Sequence, residues 1–456
     1  MHYIMNRIHT LIHAFALIRE DKLFSTIYVA GTAVAMASAM VIAIVFNMML
    51  ADIPPESHRS RTLYPYGVFT HPDETGALHP GFSYVALDSC LRRMKCVEAV
   101  AGIIPPMQNN FTIIGEEQAR EGKSEPVFIS AMATDPDFFR IYELDFISGR
   151  PFSEKEFRQS DRVCVITDKL AKKMEGETSV EIKGLPVHVV GVVKAVSAFL
   201  EEATADVYVP YMADSLFHPG FYAPCSLEGG KPSVSYCGNL FARILLRDGY
   251  TLQDFNAELE PLRKNYSAIV SSQMGEEIEW MVWTRTHFFH NIRFFRYDDY
   301  GKQGIAEGAM NLLPPALLML LFLFLPAINL SGLVTNRMEA RRPEMGVRKA
   351  FGAKRRGLLR EVIGENLVLT LLGGAVGWVL SWLFILAIRD NKVFLQIFVS
   401  RDQNVVDTGL QFQMFFTPTL FLIVFLCCVV LNLMAALIPA WRSLRKPIVE
   451  SLNQKR

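Results

Sequence analysis

The chain has 456 residues, of which 51% are hydrophobic and 20% are charged, and its formal net charge is zero. The balanced charge gives no reason to expect nucleic acid as a partner. The charged fraction lies below the roughly 25% of an average soluble protein, and the apolar residues gather in long uncharged runs near the two ends. This distribution indicates a membrane protein with a polar middle.

The first 22 residues have the pattern of an amphipathic helix. Apolar residues recur at helical spacing, and these are Ile4, Ile8, Leu11, Ile12 and Phe15. Such a helix can lie in the cytoplasmic interface of a membrane. A helix packed on a transmembrane bundle would show the same pattern, so both placements stay open.

Four long apolar runs predict transmembrane helices. Because the hydrocarbon core of a bilayer is about 30 Å thick, about 20 apolar residues are needed to cross it as a helix. The predicted spans are residues 23–50, 309–336, 363–388 and 414–441. The first run is longer than the roughly 7–15 apolar residues of a secretory signal peptide, so we expect it to stay in the membrane.

Small residues indicate where these helices pack closely. Gly31 and Ala35 in the first span, like Gly373 and Gly377 in the third, have the four-residue spacing that lets helix backbones approach each other. The second span is expected to bend at its prolines, because each removes a backbone donor and clashes with the preceding turn. These prolines are Pro314, Pro315 and Pro326.

Basic residues predict the orientation of the spans. Arginine and lysine are abundant before the first span, between the second and third, and after the fourth. Because basic loops stay in the cytoplasm, both termini and residues 337–362 are predicted to be cytoplasmic, including the tail at 442–456. Residues 51–308 and the short loop at 389–413 then face outward, which agrees with an even number of spans.

The outward segment at residues 51–308 has the texture of an α+β domain. Strand-like alternation predicts strands at 163–167 and 187–193. Predicted helices are residues 83–94, 168–174 and 252–266. The cysteines of this segment are odd in number, so they cannot all pair internally. A disulfide joining Cys90 to Cys96, or Cys225 to Cys237, and free thiols throughout are both compatible with the sequence.

One pattern in this segment resembles a phosphate-binding loop. Gly122-Lys123-Ser124 follows a predicted strand at residues 111–114, but the loop requires glycine at position 117, where Glu117 stands. We therefore reject a nucleotide site. No nucleophile-and-base constellation is present either, so the chain is predicted not to be an enzyme.

His287 and His290 are the candidate metal ligands of the segment. A spacing of three residues without further ligands nearby is a weak metal signal. Aromatic residues just before a span, here Trp280 and Trp283, are more typical of a membrane interface. We therefore predict no metal site and no catalytic or cofactor-binding residues.

The segment between the second and third spans carries the most specific motif. Residues 341–354 read RRPEMGVRKAFGAK, and apolar residues then lead past Glu365 to the glycine-rich run at 373–377. This segment resembles the signature of MacB/FtsX-type ABC transporter permeases, in which E-[IM]-G-[VI]-[RK]-[KR]-A-x-G-A precedes the third span. It departs at Pro343, where the family usually has a charged or polar residue. Other stretches that resemble the family are residues 134–139, 149–152, 163–167, 190–193, 207–211 and 438–450.

The resemblance implies a four-helix transmembrane bundle with a large MacB-like α+β domain inserted between the first and second spans. It implies a permease subunit in the bacterial inner membrane, driven by a separate ABC ATPase that uses ATP and Mg²⁺, while this chain binds no cofactor. Members of the family usually act as dimers, so a homodimer or a heterodimer with a related permease is expected. Export, lipoprotein release and mechanotransmission to wall hydrolases all stay open.

The cytoplasmic segment has residues suited to docking on a soluble partner. The residues predicted to couple to the ATPase are Glu344, Gly346, Arg348, Lys349, Gly352 and Ala353. Anchoring by the positive-inside effect would explain the arginines but not the glycines. A receptor that senses an outward ligand and signals through this segment is the alternative function, although the sequence contains no recognisable output domain.

Overall fold

The structure is a computed structural model that divides the chain into two units. It describes residues 22–70, 79–104, 111–114, 127–174, 178–182, 185–197, 200, 202–213, 240–292, 313, 317, 321, 324, 331–332, 334–388 and 418–445. An α+β unit is built from Met48–Gly308 with Gln396–Gln411. A helical unit is built from Met1–Asn47, Ala309–Leu395 and Phe412–Arg456.

Helices and strands are numbered along the chain. The helices are α1 (Lys22–Leu50), α2 (Tyr84–Ser89), α3 (Phe138–Ile141), α4 (Glu154–Arg158), α5 (Asp168–Lys173), α6 (Leu252–Met274), α7 (His287–Ile292), α8 (Arg342–Ala350), α9 (Arg355–Ile388) and α10 (Pro418–Arg445). The strands are β1 (Thr62–Thr70), β2 (His79–Pro80), β3 (Val97–Ile103), β4 (Phe111–Ile114), β5 (Val127–Thr134), β6 (Phe146–Gly149), β7 (Val163–Thr167), β8 (Ser179–Ile182), β9 (Leu185–Val193), β10 (Val207–Pro210), β11 (Phe241–Leu246) and β12 (Glu279–Thr286).

The described strands of the α+β unit form two sheets. The smaller sheet has the order β12-β1-β11-β3 with β2 on β1, and its pairs are antiparallel. The larger sheet has the order β4-β5-β10-β7-β9-β6 with β8 on β9. It is mixed, because β5 with β10 and β7 with β9 run parallel. Parallel neighbours need a crossover connection, and α5 lies on the one between β7 and β9.

The predicted strands and helices of this unit are confirmed, with three differences. The helix predicted at residues 83–94 is the shorter α2 at Tyr84–Ser89, followed by a 3-10 turn at Leu91–Arg93. β7 is buried at every position rather than at alternate ones, because a strand in the middle of a sheet covered on both faces has no solvent side. α6 continues past its predicted end at residue 266 and stops where Gly275 adopts a φ of 75°, a conformation that favours glycine. Cys90, Cys96 and Cys164 are free and buried, whereas Cys225 and Cys237 lie outside the described residues.

The two sheets are joined where β3 meets the end of β5. Ile104 and Ala133 form an antiparallel bridge, with the Ile104 amide 2.8 Å from the Ala133 carbonyl oxygen. The Asp135 carboxylate accepts hydrogen bonds from the Arg92 guanidinium at 2.7 Å and from the Gly102 amide at 2.8 Å. Burial raises the pKa of Asp135 to about 7, although Arg92 and the Gly102 amide act in the opposite direction.

Two glycines allow a close backbone crossing within the larger sheet. Gly149 has a φ of 72°, and a Cβ atom there would lie 2.2 Å from the carbonyl oxygen of Val190. A Cβ atom on Gly191 would lie 2.4 Å from the carbonyl oxygen of Arg150. The stretches 149–152 and 190–193 therefore contain glycine because their two backbones touch.

In the helical unit, three described helices are long and apolar enough to cross a membrane. They are Lys22–Ile44, Arg355–Ala387 and Pro418–Arg442, and they overlap the first, third and fourth predicted spans. The second predicted span, with its three prolines, lies mostly outside the described residues, as does the predicted amphipathic helix except for Lys22. A count of four spans stays a prediction.

The helix α9 packs against α1 through glycine. A Cβ atom on Gly373 would lie 2.7 Å from the Cβ atom of Thr32, and one on Gly377 would lie 2.8 Å from the carbonyl oxygen of Ala33. On α1, Ala35 is buried and Gly31 is half-buried. The α1 residues at these two closest approaches, Thr32 and Ala33, are small, as close helix packing requires.

Candidate functional site

The short helix α8 has sequence signals at both of its ends. Pro343 lies in the first turn, where its missing amide hydrogen is not needed. Glu344 lies in the same turn, and Arg348 and Lys349 lie in the last turn, so the charges complement the helix dipole. The motif of the sequence is therefore a separate short helix whose terminal charges favour it, although its N-cap residue Arg341 makes no side-chain capping hydrogen bond.

A tight turn joins α8 to α9. Gly352 has a φ of 94°, and its amide donates to the carbonyl oxygen of Lys349 at 3.0 Å. The Ala353 amide donates to the carbonyl oxygen of Arg348 at 3.0 Å. These bonds satisfy carbonyl groups at the end of α8. The left-handed backbone conformation of residue 352 is one that only glycine adopts without strain.

The inner face of this helical hairpin is buried in the core of the helical unit. Met345 on α8 and Leu358 and Val362 on α9 join an apolar cluster with residues of α1, α10 and the helical residues 334–340. Ala353 is half-buried against the same cluster. Gly346 is also buried. Because these apolar side chains are removed from water, their burial fixes the position of α8.

Buried ion pairs join the segment that precedes α8 to α9. Glu365 on α9 is almost fully buried and pairs with both Arg337 and Arg341, the latter at 3.0 Å. The guanidinium of Arg337 also lies 4.4 Å from the ring centroid of Phe24 on α1. Because each arginine needs the carboxylate for charge balance, the chain that enters α8 is fixed to α9.

Arg348 ties α8 to α9 a second time. Its guanidinium lies 2.6 Å from the Glu344 carboxylate and 3.1 Å from that of Glu361. Partial burial works against the charge, but these carboxylates raise the pKa of Arg348. The neighbouring Lys349 has its pKa lowered by partial burial and by Arg355.

The outer face of the hairpin carries two exposed apolar side chains, and exposed basic residues follow them along the chain. The side chain of Phe351 is 89% exposed and that of Val347 is 45% exposed. Exposed basic residues follow on the turn and the first turns of α9, and these are Lys354, Arg355, Arg356 and Arg360. We call Val347, Phe351 and these four basic residues the docking face. An exposed aromatic ring on a rigid support is a typical anchor of protein interfaces.

The structure separates the predicted coupling residues into three groups. Gly352 and Glu344 are exposed, Arg348, Lys349 and Ala353 are half-buried, and Gly346 is buried inside the chain. Sequence reasoning missed Phe351 and Val347, and it named Glu365 only as part of a motif. The available signal was Glu361 and Glu365, the two acidic residues of α9, one helical turn apart ahead of an uncharged run.

Of the two ligand sites that the sequence analysis rejected, the structure describes only one. The loop around Lys123 lies outside the described residues. His287 and His290 have protein partners, since His287 Nδ1 lies 2.7 Å from the Tyr64 hydroxyl and His290 Nε2 lies 2.9 Å from Glu202. Within the part of the chain that the structure describes, no cluster of three or more His, Cys, Asp or Glu side chains could hold a metal ion.

Comparison with known proteins finds two families that match this chain. Residues 25–262 match the MacB-like periplasmic core domain, and residues 316–448 match the FtsX-like permease C-terminal domain. The first match begins within α1 and ends within α6, so β12 and α7 of the α+β unit lie between the two matches. The second match includes α8, the turn and the docking face.

Curated relatives are distant but extend over both parts. The uncharacterized ABC transporter permease YknZ of Bacillus subtilis (strain 168) is 25% identical over 246 residues, covering 53% of this chain and 53% of the relative. The macrolide export ATP-binding/permease protein MacB of Escherichia coli O6:K15:H31 (strain 536 / UPEC) is 21% identical over 456 residues, covering 97% of this chain and 60% of the relative. The chain spans about half the length of several curated relatives that it matches, YknZ among them.

Solved structures are similar to about half of the chain. The periplasmic region of MacB from Actinobacillus actinomycetemcomitans is 13% identical, covers 53% of this chain and 95% of its own, and has a TM-score of 0.32. The extracellular domain of the transporter YknZ from Gram-positive bacteria is 18% identical, covers 48% of this chain and 99% of its own, and has a TM-score of 0.30.

Proposed function

Because the chain belongs to the MacB/FtsX-type family of ABC transporter permeases, we propose that it is the membrane subunit of a complex driven by an ATPase on a separate polypeptide. In this proposal the partner binds ATP and Mg²⁺, and this chain binds no cofactor. Movement of the partner shifts the helical unit and thereby changes the conformation of residues 51–308. The work done is export, lipoprotein release or mechanotransmission to a partner outside the membrane.

The proposed arrangement in the membrane has four spans, with both termini and residues 337–362 in the cytoplasm. Three described helices of spanning length and the basic residues around them support it. Residues 51–308 then lie outside the inner membrane, between the first and second spans. The subunit is proposed to act as a homodimer or with a related permease.

The observation that carries the proposal is the docking face on its rigid support. Covering a phenylalanine ring that is 89% exposed with a partner or a membrane would be favourable, because it removes apolar surface from water. The buried pairs of Glu365 and the cluster around Met345 hold the inner side of the hairpin. A partner that pushes on Phe351 would therefore move α8 and α9 together rather than bend a loose loop.

Co-purification tests the proposal with a matched control. The tagged full-length chain is purified in gentle detergents as wild type, as Phe351→Ala and as Phe384→Ala. Phe384 is a second exposed phenylalanine, 56% exposed, within the apolar part of α9. The expected result is that an ABC-type ATPase, identified by mass spectrometry, accompanies wild type and Phe384→Ala but not Phe351→Ala.

Two results would contradict the proposal. If no ATPase accompanies the wild-type chain in any detergent, the separate-ATPase function is wrong. If the ATPase binds Phe351→Ala as well as wild type, the docking face has been misplaced. In the second case, insertion of Phe351 into the membrane interface would be the better explanation of its exposure.

A further inference from the structure

The chain is clamped directly after α1, within the α+β unit. Arg59 is 3% exposed, and its guanidinium donates to the carbonyl oxygen of Ala51, the residue after α1, at 2.8 Å. The same guanidinium lies 2.7 Å from the carboxylate of Glu56, which is 2% exposed. The Ser60 amide donates to the Asp52 carboxylate at 2.8 Å. We call residues 51–61 the collar.

The collar is bonded directly to the part of the unit that carries the larger sheet. The Glu143 amide, just after α3, donates to the carbonyl oxygen of Pro55 at 2.9 Å. The Glu143 carboxylate also lies 3.3 Å from His58 Nε2. Since α3 lies between β5 and β6, a movement of the collar acts on the larger sheet through Glu143. The collar also continues into β1 of the smaller sheet, where the Arg61 guanidinium donates to the carbonyl oxygen of Leu246 at 3.0 Å.

The last helix of the unit is bonded to the same sheet. His290 on α7 lies 2.9 Å from Glu202, which comes shortly before β10 of the larger sheet. Glu202 also pairs with Arg243 of the smaller sheet at 2.5 Å. Burial alone would raise the pKa of Glu202, but Arg243 and His290 hold it well below its usual range. The carboxylate is therefore charged and bridges both sheets.

A buried ion pair is an unusual choice for stability alone. Apolar side chains of similar volume at such sites are often as stable or more stable, because both charges lose their water. What a guanidinium adds is directional bonding to two acceptors in a fixed geometry. Arg59 uses it to join a carbonyl group at the end of α1 to Glu56, and this joint cannot slide as an apolar contact can.

We propose that Arg59 and Glu56 are positioning residues that make the larger sheet follow the tilt of α1, through Glu143. The inference rests on the proposed function, because it supplies the path by which movement of the helical unit reaches residues 51–308. In this proposal the movement is transmitted through the collar and not through the rest of the surface of the α+β unit. A purely structural role for the pair would stabilise the fold without affecting any response to nucleotide.

The test is hydrogen exchange of the full-length chain in complex with its ATPase, with and without a non-hydrolysable ATP analogue and Mg²⁺. Wild type is compared with two variants. The first is Arg59→Gln, and the second carries both Glu56→Gln and Arg59→Gln. The double variant leaves no buried charge unpaired and so protects against misfolding. Arg61→Gln is the control, since Arg61 lies in the collar but pairs with Glu98 and Asp248.

The readout is the nucleotide-dependent difference in exchange over residues 141–149 and 202–210. The expected result is a difference in wild type and Arg61→Gln that is lost in both Arg59 variants, while the ATPase stays bound. If the Arg59 variants change only their exchange without nucleotide and keep the nucleotide-dependent difference, the positioning role of Arg59 and Glu56 is overturned. The proposed function of the chain would then still stand. If wild type itself shows no difference in the unit, both are overturned.

Discussion

The guanidinium of Arg341 donates to Oε2 of Glu365 at 3.0 Å, across 24 residues of sequence. Arg341 stands just before α8, and Glu365 stands on α9 beyond the turn, so this bond closes the base of the hairpin that carries the docking face. Arg337 shares the same carboxylate. The orientation of Phe351 therefore depends on a charge that is buried beneath it.

Glu365→Gln is expected to loosen the hairpin. Two arginines would lose their shared counter-ion, and breaking a buried pair costs roughly 3–5 kcal/mol. The thermal unfolding midpoint of the purified chain and the exchange rates of residues 337–350 measure the effect. Glu344→Gln is the control, since its half-exposed pair with Arg348 contributes about 0–1 kcal/mol. Equal effects of the two variants would contradict a special role of Glu365.

Gly352→Ala is expected to lower the stability of the chain, whereas Gly357→Ala is not. A side chain fits in space at both positions, because a Cβ atom added to either glycine would meet no other atom within 4 Å. At Gly352 the φ of 94° makes alanine unfavourable by about 1–2 kcal/mol. At Gly357, in the first turn of α9, alanine is expected to be neutral or to stabilise by up to about 1 kcal/mol. Thermal unfolding and exchange of residues 347–356 distinguish them.

Gly377→Ala is expected to disturb the packing of α9 on α1. The new methyl group would lie 2.8 Å from the carbonyl oxygen of Ala33, which is backbone and cannot rotate away. Overpacking of this kind costs about 1–3 kcal/mol. The measurement is the unfolding midpoint in detergent, with Gly357→Ala as the control for adding a methyl group to the same helix. An unchanged midpoint would show that the two helices separate easily at this point.

Asp135 is expected to make the junction of the two sheets less stable as pH rises. Its pKa of about 7 in the folded chain lies above the ordinary value of 3.8, so between those values the folded state keeps a proton that the unfolded state has lost. The stability contributed by this proton is present at low pH and is lost as pH rises to 7, by at most about 4 kcal/mol.

Hydrogen exchange of β3 and β5, corrected for the intrinsic pH dependence of exchange, measures this effect between pH 5 and pH 8. Asp135→Asn should remove the pH dependence, because asparagine does not titrate. If the variant and wild type show the same pH profile, another group controls the junction.

Much of the fold was predictable because it follows from short-range patterns. The length of an apolar run decides whether a helix can span a membrane, and α1, α9 and α10 follow the runs. The strand at Val163–Thr167 follows its β-branched residues, although its burial does not alternate, and the helix that begins at Leu252 follows the cap at Thr251. The motif at residues 341–354 was recognisable because its glycines and charges are close together in sequence.

The sequence alone could not decide which residues of that motif face outward. Gly346 was predicted to belong to the docking residues, yet it is buried, while Phe351 was overlooked and is almost fully exposed. A nine-residue helix has too few residues for its pattern to show which face is covered. That face was decided by α1, α9 and α10, whose residues are distant in sequence.

The sequence by itself thus determined the family, the apolar helices and the location of the motif at residues 341–354, because each depends on residues that are neighbours along the chain. Only the tertiary structure decided that Glu365 supports the hairpin, that Asp135 joins the two sheets, and that Arg59 clamps the end of α1 while Glu202 bridges both sheets. The physical reason is that a charge becomes a structural bond only when burial removes its water and folding brings a distant partner within hydrogen-bonding distance.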